Sequence, residues 1–192
     1  MVVERRRLES RVRSRTRQAI IRAAVEVLGV DSAASLSDIA DAAGVSRTTV
    51  HRYFAERADL LEAISQDALE RFALGAERAD LDTGSAAEAL DRLCQELFEL
   101  GDVVLLLFSE PQLITGSEWE EENDADRAMR RVVERGHREG AIDQELSPSW
   151  VAEIVWHLLY AAWRHTKDGA SKHESLRLCL HSLHKLITPA TR

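Results

Sequence analysis

The sequence predicts an all-α protein of about nine helices, with a small three-helix head and a larger helical body. Apolar residues recur three or four positions apart in most segments, and no pair of alternating segments offers strands for a sheet. Charge also divides the chain, because residues 1–60 hold eleven arginines against eight acids, whereas residues 61–192 hold fourteen Lys and Arg against twenty-five acids. We therefore predict two domains, the head at residues 1–56 and the body at residues 57–192.

The first helix of the head is predicted at residues 16–28, where Ile20, Ala24 and Leu28 belong to one apolar stripe. A basic segment precedes and overlaps it, since residues 1–22 carry eight arginines and two acids. This segment is either an extension of the first helix or a disordered arm. It serves either to contact phosphate groups or as a solvated tail, and the sequence leaves these alternatives open.

Residues 35–54, SLSDIADAAGVSRTTVHRYF, predict two short helices joined by a tight turn. Ser35 is a good N-cap residue, and Asp38 three positions later can complete a capping box. Gly44 supplies a residue that takes positive φ after the first of the two helices. Ser46 then caps the second helix.

The second helix is expected to turn Val50 and Phe54 inward and a polar, cationic side outward. A short helix of this kind fits the major groove of DNA, where guanidinium groups bind guanine and phosphate. The alternative is a helical hairpin of a larger core whose polar residues are merely solvated. We favour DNA binding because the turn, the caps and the polar side agree over one stretch. The predicted DNA contacts are Ser46, Arg47, Thr48, Thr49, His51, Arg52, Tyr53 and Arg57.

The segment IADAAGVSRTTVHRYFAERADLL, residues 39–61, resembles the DNA-binding signature of the TetR (tetracycline repressor) family of bacterial regulators. Residues 16–28 lie where that family has its first helix. The resemblance departs at His51, where the family more often has tyrosine, and at Arg57, where lysine is usual. It implies a helix-turn-helix head, a partner of double-stranded operator DNA, and a C-terminal domain for effector binding and dimerisation.

Helices are predicted in the body wherever apolar residues keep helical spacing between turn signals. Breaks are expected at residues 82–85, at Gly101-Asp102 and at Gly140, and Pro148 suits a first-turn position. The segment VVLLLF predicts a short helix buried on most sides. The predicted helices span residues 58–78, 86–100, 103–108, 118–138, 148–167 and 172–187.

The last two helices are apolar around most of their circumference and therefore need cover on more than one side. A second copy of the chain is the economical cover, so we predict a homodimer with a four-helix interface. The resembled family also dimerises there. The predicted interface residues are Val151, Val155, Leu158, Leu159, Leu176, Leu180, Leu183 and Ile187.

Trp156, Tyr160 and Trp163 form an aromatic stripe on the penultimate helix. Such a stripe either lines a cavity for a small apolar or aromatic effector or packs in an ordinary core or interface, and the pattern leaves both open. The predicted effector pocket consists of Phe98, Phe108, Trp119, Met129, Trp156, Tyr160 and Trp163.

The sequence gives little support for catalysis, metal binding or a cofactor. It contains no Gly-rich phosphate loop, GxSxG or HExxH motif, and His181 and His184 lack further ligands. Carboxylates from Glu118 onward are expected to be solvated rather than to hold a hard cation. Cys94 and Cys179 are expected to be reduced, incidental apolar residues of a cytoplasmic chain, and no apolar run is long enough to span a membrane.

The sequence therefore predicts a ligand-responsive repressor that binds a palindromic operator as a homodimer. The alternatives are an orphan regulator without an effector, a helical protein-interaction adaptor and an all-α enzyme.

Overall fold

Ten α-helices and one 3₁₀ turn, without a strand, form the described part of the chain in a computed structural model. The structure describes residues 2–115 and 117–190, with side chains for residues 11–115 and 119–190. Nine of these helices have seven residues or more, which confirms the predicted all-α architecture. The helices are α1 Val2–Leu28, α2 Leu36–Ala42, α3 Arg47–Tyr53, α4 Arg57–Ala79, α5 Ala86–Phe98, α6 Gly101–Ser109, α7 Ser117–Glu120, α8 Asp124–Glu139, α9 Pro148–Lys167 and α10 Lys172–Ile187, and the 3₁₀ turn is Pro111–Ile114.

The first helix is longer than predicted, since it begins at Val2 rather than near Thr16. Its first half lacks an apolar stripe but also lacks glycine and proline, so nothing in the sequence interrupts the helical backbone. The basic segment was expected to be either an extension of the first helix or a disordered arm. In the structure it is an extension of the first helix. The side chains of residues 1–10, which include Arg5, Arg6 and Arg7 of the basic segment, lie outside the described residues.

One predicted break in the body is corrected, and one break that was not predicted is found. Gly101 begins α6 instead of separating two helices. The helix predicted at residues 118–138 is divided, because Asn123 starts α8 with a capping box: its Oδ1 accepts the backbone N–H of Ala125 at 2.8 Å and that of Asp126 at 3.1 Å.

The buried side chains of the head and the body form one contiguous core, which runs from Ile20 in α1 to Ile187 at the end of α10. Within it α4 leaves the head and packs on α5, while α9 packs on α6 and α10. The division into domains at residue 56 therefore remains a prediction. None of the helices in the described residues combines the length and hydrophobicity needed to cross a bilayer.

Candidate nucleic-acid interface and effector site

Helices α2 and α3 are joined by the tight turn that the sequence predicts. The Ser35 hydroxyl accepts the backbone N–H of Asp38 at 3.3 Å, and the Asp38 carboxylate accepts the backbone N–H of Ser35 at 2.8 Å. Hydrogen bonds from the side chain and backbone of Ser35 lower the pKa of Asp38, because they stabilise its charged form. Gly44 follows α2 with a φ of +66°, a conformation that costs glycine little.

Helix α3 is anchored from behind and capped at its start. Val50 and Phe54 are buried in the core, one helical turn apart. The Ser46 hydroxyl accepts the backbone N–H of Thr49 at 3.1 Å and lies 2.9 Å from the Thr49 hydroxyl. These two hydroxyls therefore stabilise the start of α3, and the solvent-exposed side of the helix lies beyond them.

The outward side of α3 is formed by Arg47, Thr48, His51 and Arg52, all of which are exposed. Arg47 Nε donates to His51 Nε2 at 3.4 Å, while His51 Nδ1 lies 3.3 Å from the carbonyl oxygen of Ala55. Arg52 lies 5.5 Å from the ring centroid of Tyr53, which is half-buried against the core. The result is a cationic surface with one imidazole at its centre.

Arg57, the remaining predicted DNA contact, has other partners in this structure. Its Nη1 donates to the carbonyl oxygen of Ala34 at 2.6 Å, and its Nη2 donates to that of Ser32 at 2.5 Å. The guanidinium thus binds the connection between α1 and α2. Arg57 was predicted to contact DNA because of its charge and its position after α3. Its hydrogen bonds to residues distant in sequence become visible only in the tertiary structure.

The structure divides the predicted effector-pocket aromatics among three places. Trp119 and Trp156 contact Phe72 edge to face, with ring centroids 6.4 and 4.8 Å apart. Trp163 stacks on Phe98 and donates to its carbonyl oxygen at 2.6 Å, so this pair belongs to the core. The other stacked pair, Phe108 and Tyr160, has centroids 4.5 Å apart, and Phe108 is exposed at the surface. Met129 is half-buried against the core.

A cleft of about 540 Å³ lies between the second half of α4 and the start of α8. None of the predicted pocket residues lines it. The sequence held only a weak sign of it, the spacing of Glu70, Ala73 and Glu77 on one side of α4. The lining combines apolar side chains with carboxylates and one amide: Leu69, Ala73, Ala76, Leu81, Ala125 and Ala128, with Glu70, Glu77, Asp80, Asp82, Asp124 and Asn123.

Most of the predicted dimer-interface residues are core residues of their own chain. Val151, Val155, Leu159, Leu183 and Ile187 are buried within the single chain, whereas Leu158, Leu176 and Leu180 are half-buried. The spacing of residues 151, 155 and 159 places them on one face of α9, as predicted. That face is buried in the core of its own chain, which the spacing alone did not indicate. The exposed large apolar residues on α9 and α10 are Trp150, Leu178 and Leu186.

The two cysteines, expected to be incidental, meet in the core between α5 and α10. Hydrogen bonding to Cys179 and burial raise the pKa of Cys94 well above its usual range. The structure places both as free thiols. Across the described residues, no group of three or more His, Cys, Asp and Glu side chains is arranged to hold a metal ion.

Comparison with known proteins gives the family. The model for bacterial regulatory proteins of the tetR family matches residues 20–64. The HTH-type transcriptional repressor LfrR of Mycolicibacterium smegmatis is 37% identical over 177 residues, which cover 92% of each chain.

Solved structures agree. The TetR-like regulator LfrR from Mycobacterium smegmatis in complex with proflavine superposes with a TM-score of 0.73 at 34% identity, covering 92% of this chain and 99% of that one. The ketosteroid regulator KstR2 of Mycobacterium tuberculosis, at 18% identity and a TM-score of 0.70 over 91% of this chain and 95% of that one, shares the fold. The chain belongs to the TetR family of bacterial regulatory proteins and is a DNA-binding transcriptional regulator rather than an enzyme.

Proposed function

We propose that the chain is a ligand-responsive repressor that binds a palindromic operator as a homodimer. The observation that carries the proposal is the outward side of α3, where Arg47, His51 and Arg52 are exposed on a helix that Val50 anchors in the core. One short helix contacts only a few base pairs. Two heads with recognition helices about 34–36 Å apart would match two half-sites in successive major grooves.

The exposed apolar side of α9 and α10 supports dimerisation. Trp150 is 58% exposed and Leu186 is 54% exposed, and Leu178 lies two turns before Leu186 on the same side of α10. Ile154 and Leu158, half-buried, continue the side of α9 that begins at Trp150. A second copy would cover these residues with an equivalent surface, as a two-fold interface requires.

The effector that fits best is a planar aromatic cation. LfrR, a relative at 34% identity, was solved in complex with proflavine. In the present chain the cleft beside α4 has the volume of a ligand pocket, about 300–1,000 Å³ in general. Apolar side chains and five carboxylates line it; Asp82 and Asp124 are paired with Arg131 and Arg127, which leaves Glu70, Glu77 and Asp80. Apolar surface would bind the rings and negative charge would favour the cation.

Gel mobility shifts on duplex DNA from the region upstream of the chain's own coding sequence test the proposal. We expect two chains per duplex, binding that weakens steeply with salt, and weakening of about 5- to 150-fold by proflavine, which corresponds to a coupling of about 1–3 kcal/mol. Binding no tighter than to unrelated DNA would contradict operator binding at this site. Binding that proflavine leaves unchanged would contradict the proposed response to this effector.

Two pairs of variants test the parts separately. Glu77→Gln, in the cleft, should weaken proflavine binding measured by fluorescence polarisation, whereas Glu62→Gln, exposed on the same helix but outside the cleft, should not. Leu186→Glu should give monomers in sedimentation velocity. Val30→Glu is its control, because Val30 is an exposed apolar residue of the head, 90% accessible.

A further inference from the structure

Arg57, the first residue of α4, binds the head at a point distant in sequence. Its two terminal nitrogens donate to Ser32 and Ala34, in the connection between α1 and α2, at 2.5 and 2.6 Å. A guanidinium is a planar fork that can hold two carbonyl oxygens in fixed directions, whereas an ammonium is a single point charge. The start of α4 is therefore fixed directly to this connection.

The connection held by Arg57 leads into the helices that carry the DNA-facing side. Ala34 precedes Ser35, the N-cap of α2, and α2 packs on both α1 and α3. By contrast, the covalent path from α3 to α4 is only the three residues 54–56. A second tie lies further along α4, where Gln18 of α1 donates to the Asp67 carboxylate at 2.5 Å. The head is thus attached to α4 at two places about 15 Å apart along the helix axis.

We propose that Arg57 is a positioning residue that makes the head move as one unit with α4, so that displacement of α4 is transmitted to α3. The inference rests on the proposed function, in which an effector binds the cleft beside α4 and weakens operator binding. A phosphate contact by Arg57, the role expected from the sequence, requires only a positive charge. Transmission of a displacement from α4 to the head requires the pair of hydrogen bonds that the guanidinium donates. A variant that keeps the charge and loses this pair therefore distinguishes the two roles.

The variants are Arg57→Lys, which keeps the charge and removes the fork, and Arg57→Ala, which removes both. Arg92→Lys is the matched control. Arg92 makes the same kind of contact at the other end of α4, where its guanidinium donates to the carbonyl oxygens of Ala79, Asp80 and Thr83 at 2.7, 2.9 and 2.6 Å. All three variants are first checked for retained helical circular dichroism.

Hydrogen exchange of the full chain tests the tie without DNA or effector. Both Arg57 variants should speed amide exchange in residues 29–35 by about tenfold or more, since local opening no longer breaks two charge-assisted hydrogen bonds. Arg92→Lys should leave that segment unchanged. Unaltered exchange in Arg57→Ala would overturn the proposal.

The salt dependence of DNA binding separates the two roles. If Arg57 positions the head, Arg57→Ala leaves the slope of log affinity against log salt unchanged. If it contacts phosphate in both subunits, the slope falls by about 1.8. The second result would overturn the proposal.

The proflavine response gives the third readout, as the ratio of DNA dissociation constants with and without proflavine. We expect this ratio to fall at least threefold in both Arg57 variants and to be retained in Glu62→Gln, which is exposed on α4 outside the cleft. A wild-type ratio in Arg57→Lys would show that charge suffices and would overturn the proposal. If proflavine leaves DNA binding by the wild-type protein unchanged, the proposed effector is wrong. The hydrogen-exchange rates and the salt dependence of DNA binding still decide the role of Arg57 in that case.

Discussion

The turn between α2 and α3 and the contact between α6 and α9 both depend on a glycine, for opposite reasons. Gly44 in the head has a φ of +66°, and a Cβ added there would meet nothing within 4 Å. Gly101 in the body has ordinary helical backbone, but a Cβ there would lie 1.6–1.9 Å from atoms of the Trp163 indole. One glycine is required by its own backbone and the other by a residue 62 positions away.

The same difference runs through the two regions. The two short helices of the head are set by neighbours in sequence, since Ser35, Asp38 and Ser46 make their capping contacts within three residues. The body has local caps as well, at Ser85 and Asn123, but its helices are held together by contacts between distant residues, such as Trp163 with Phe98 and Arg131 with Asp82. Local contacts leave the outer side of α3 free for a partner, whereas the long-range contacts build a core.

The largest effect should come from removing the cations of α3. We expect Arg47→Ala with Arg52→Ala to weaken operator binding about a thousandfold or more, because a dimer loses four cationic contacts worth about 1–3 kcal/mol each when bidentate to a base. Thermal stability should stay unchanged, since both side chains are exposed. The control is Arg138→Ala with Arg164→Ala, which removes two exposed arginines of the body; an equal loss of affinity there would refute the assignment of the interface.

The glycine comparison predicts the next largest effects. Gly101→Ala should lower the free energy of unfolding by about 3 kcal/mol, because the methyl group must displace the buried Trp163. Gly44→Ala should lower it by about 1–2 kcal/mol, the cost of a left-handed conformation for a residue with a Cβ. Urea denaturation measures both. Equal costs would mean that the Gly101 region can open to accept the methyl group.

Ser35→Ala in the head and Ser85→Ala in the body should have smaller, matching effects. Each removes an N-cap, and we expect each to lower Tm by about 2–4 °C at pH 7. Side-chain and backbone hydrogen bonds from Ser35 lower the pKa of Asp38, and backbone and side-chain hydrogen bonds from Ser85 lower that of Glu88.

The pH dependence of these cap effects follows from the sign of the shifts. A carboxyl group whose pKa is lower in the folded state stabilises the fold above its unfolded pKa, and loses that contribution as pH falls through the folded value. The difference in Tm between wild type and either serine variant should therefore shrink in acid, below about pH 4. A difference that grows in acid would contradict the assigned caps.

The smallest expected signal is the reaction of the two thiols. Cys94 is fully buried with a raised pKa. A hydrogen bond with Cys94 lowers the pKa of Cys179, but that side chain is only 4% exposed. Iodoacetamide should therefore leave both unmodified in folded protein at neutral pH and modify both in urea, as judged by mass spectrometry. Rapid alkylation of native protein would indicate that α10 separates from α5.

The contrast between local and distant contacts also explains how far the sequence could be interpreted. The bounds of α9 and α10 agree with the predicted residues 148–167 and 172–187, because Ser147-Pro148 and Ser171 are local start signals. The break at Asn123 was missed because the acidic residues around it also suit a continuous helix.

The candidate sites divide in the same way. The exposed residues of α3 were predictable because a helical period and two buried anchors determine them. The cleft beside α4 was not, since it forms only when the start of α8 packs across that helix. The hydrogen bonds of Arg57 join residues 23 and 25 positions apart, which no local pattern encodes.

The separation of roles on α3 makes the head open to redesign. Val50 and Phe54 carry its attachment and Ser46 its start, while positions 47, 48, 51 and 52 are exposed. Under the proposed function, new side chains at those four positions would alter the operator sequence that is bound without disturbing the buried residues. A library randomised at these positions could supply regulators that bind new operators and still respond to the original effector.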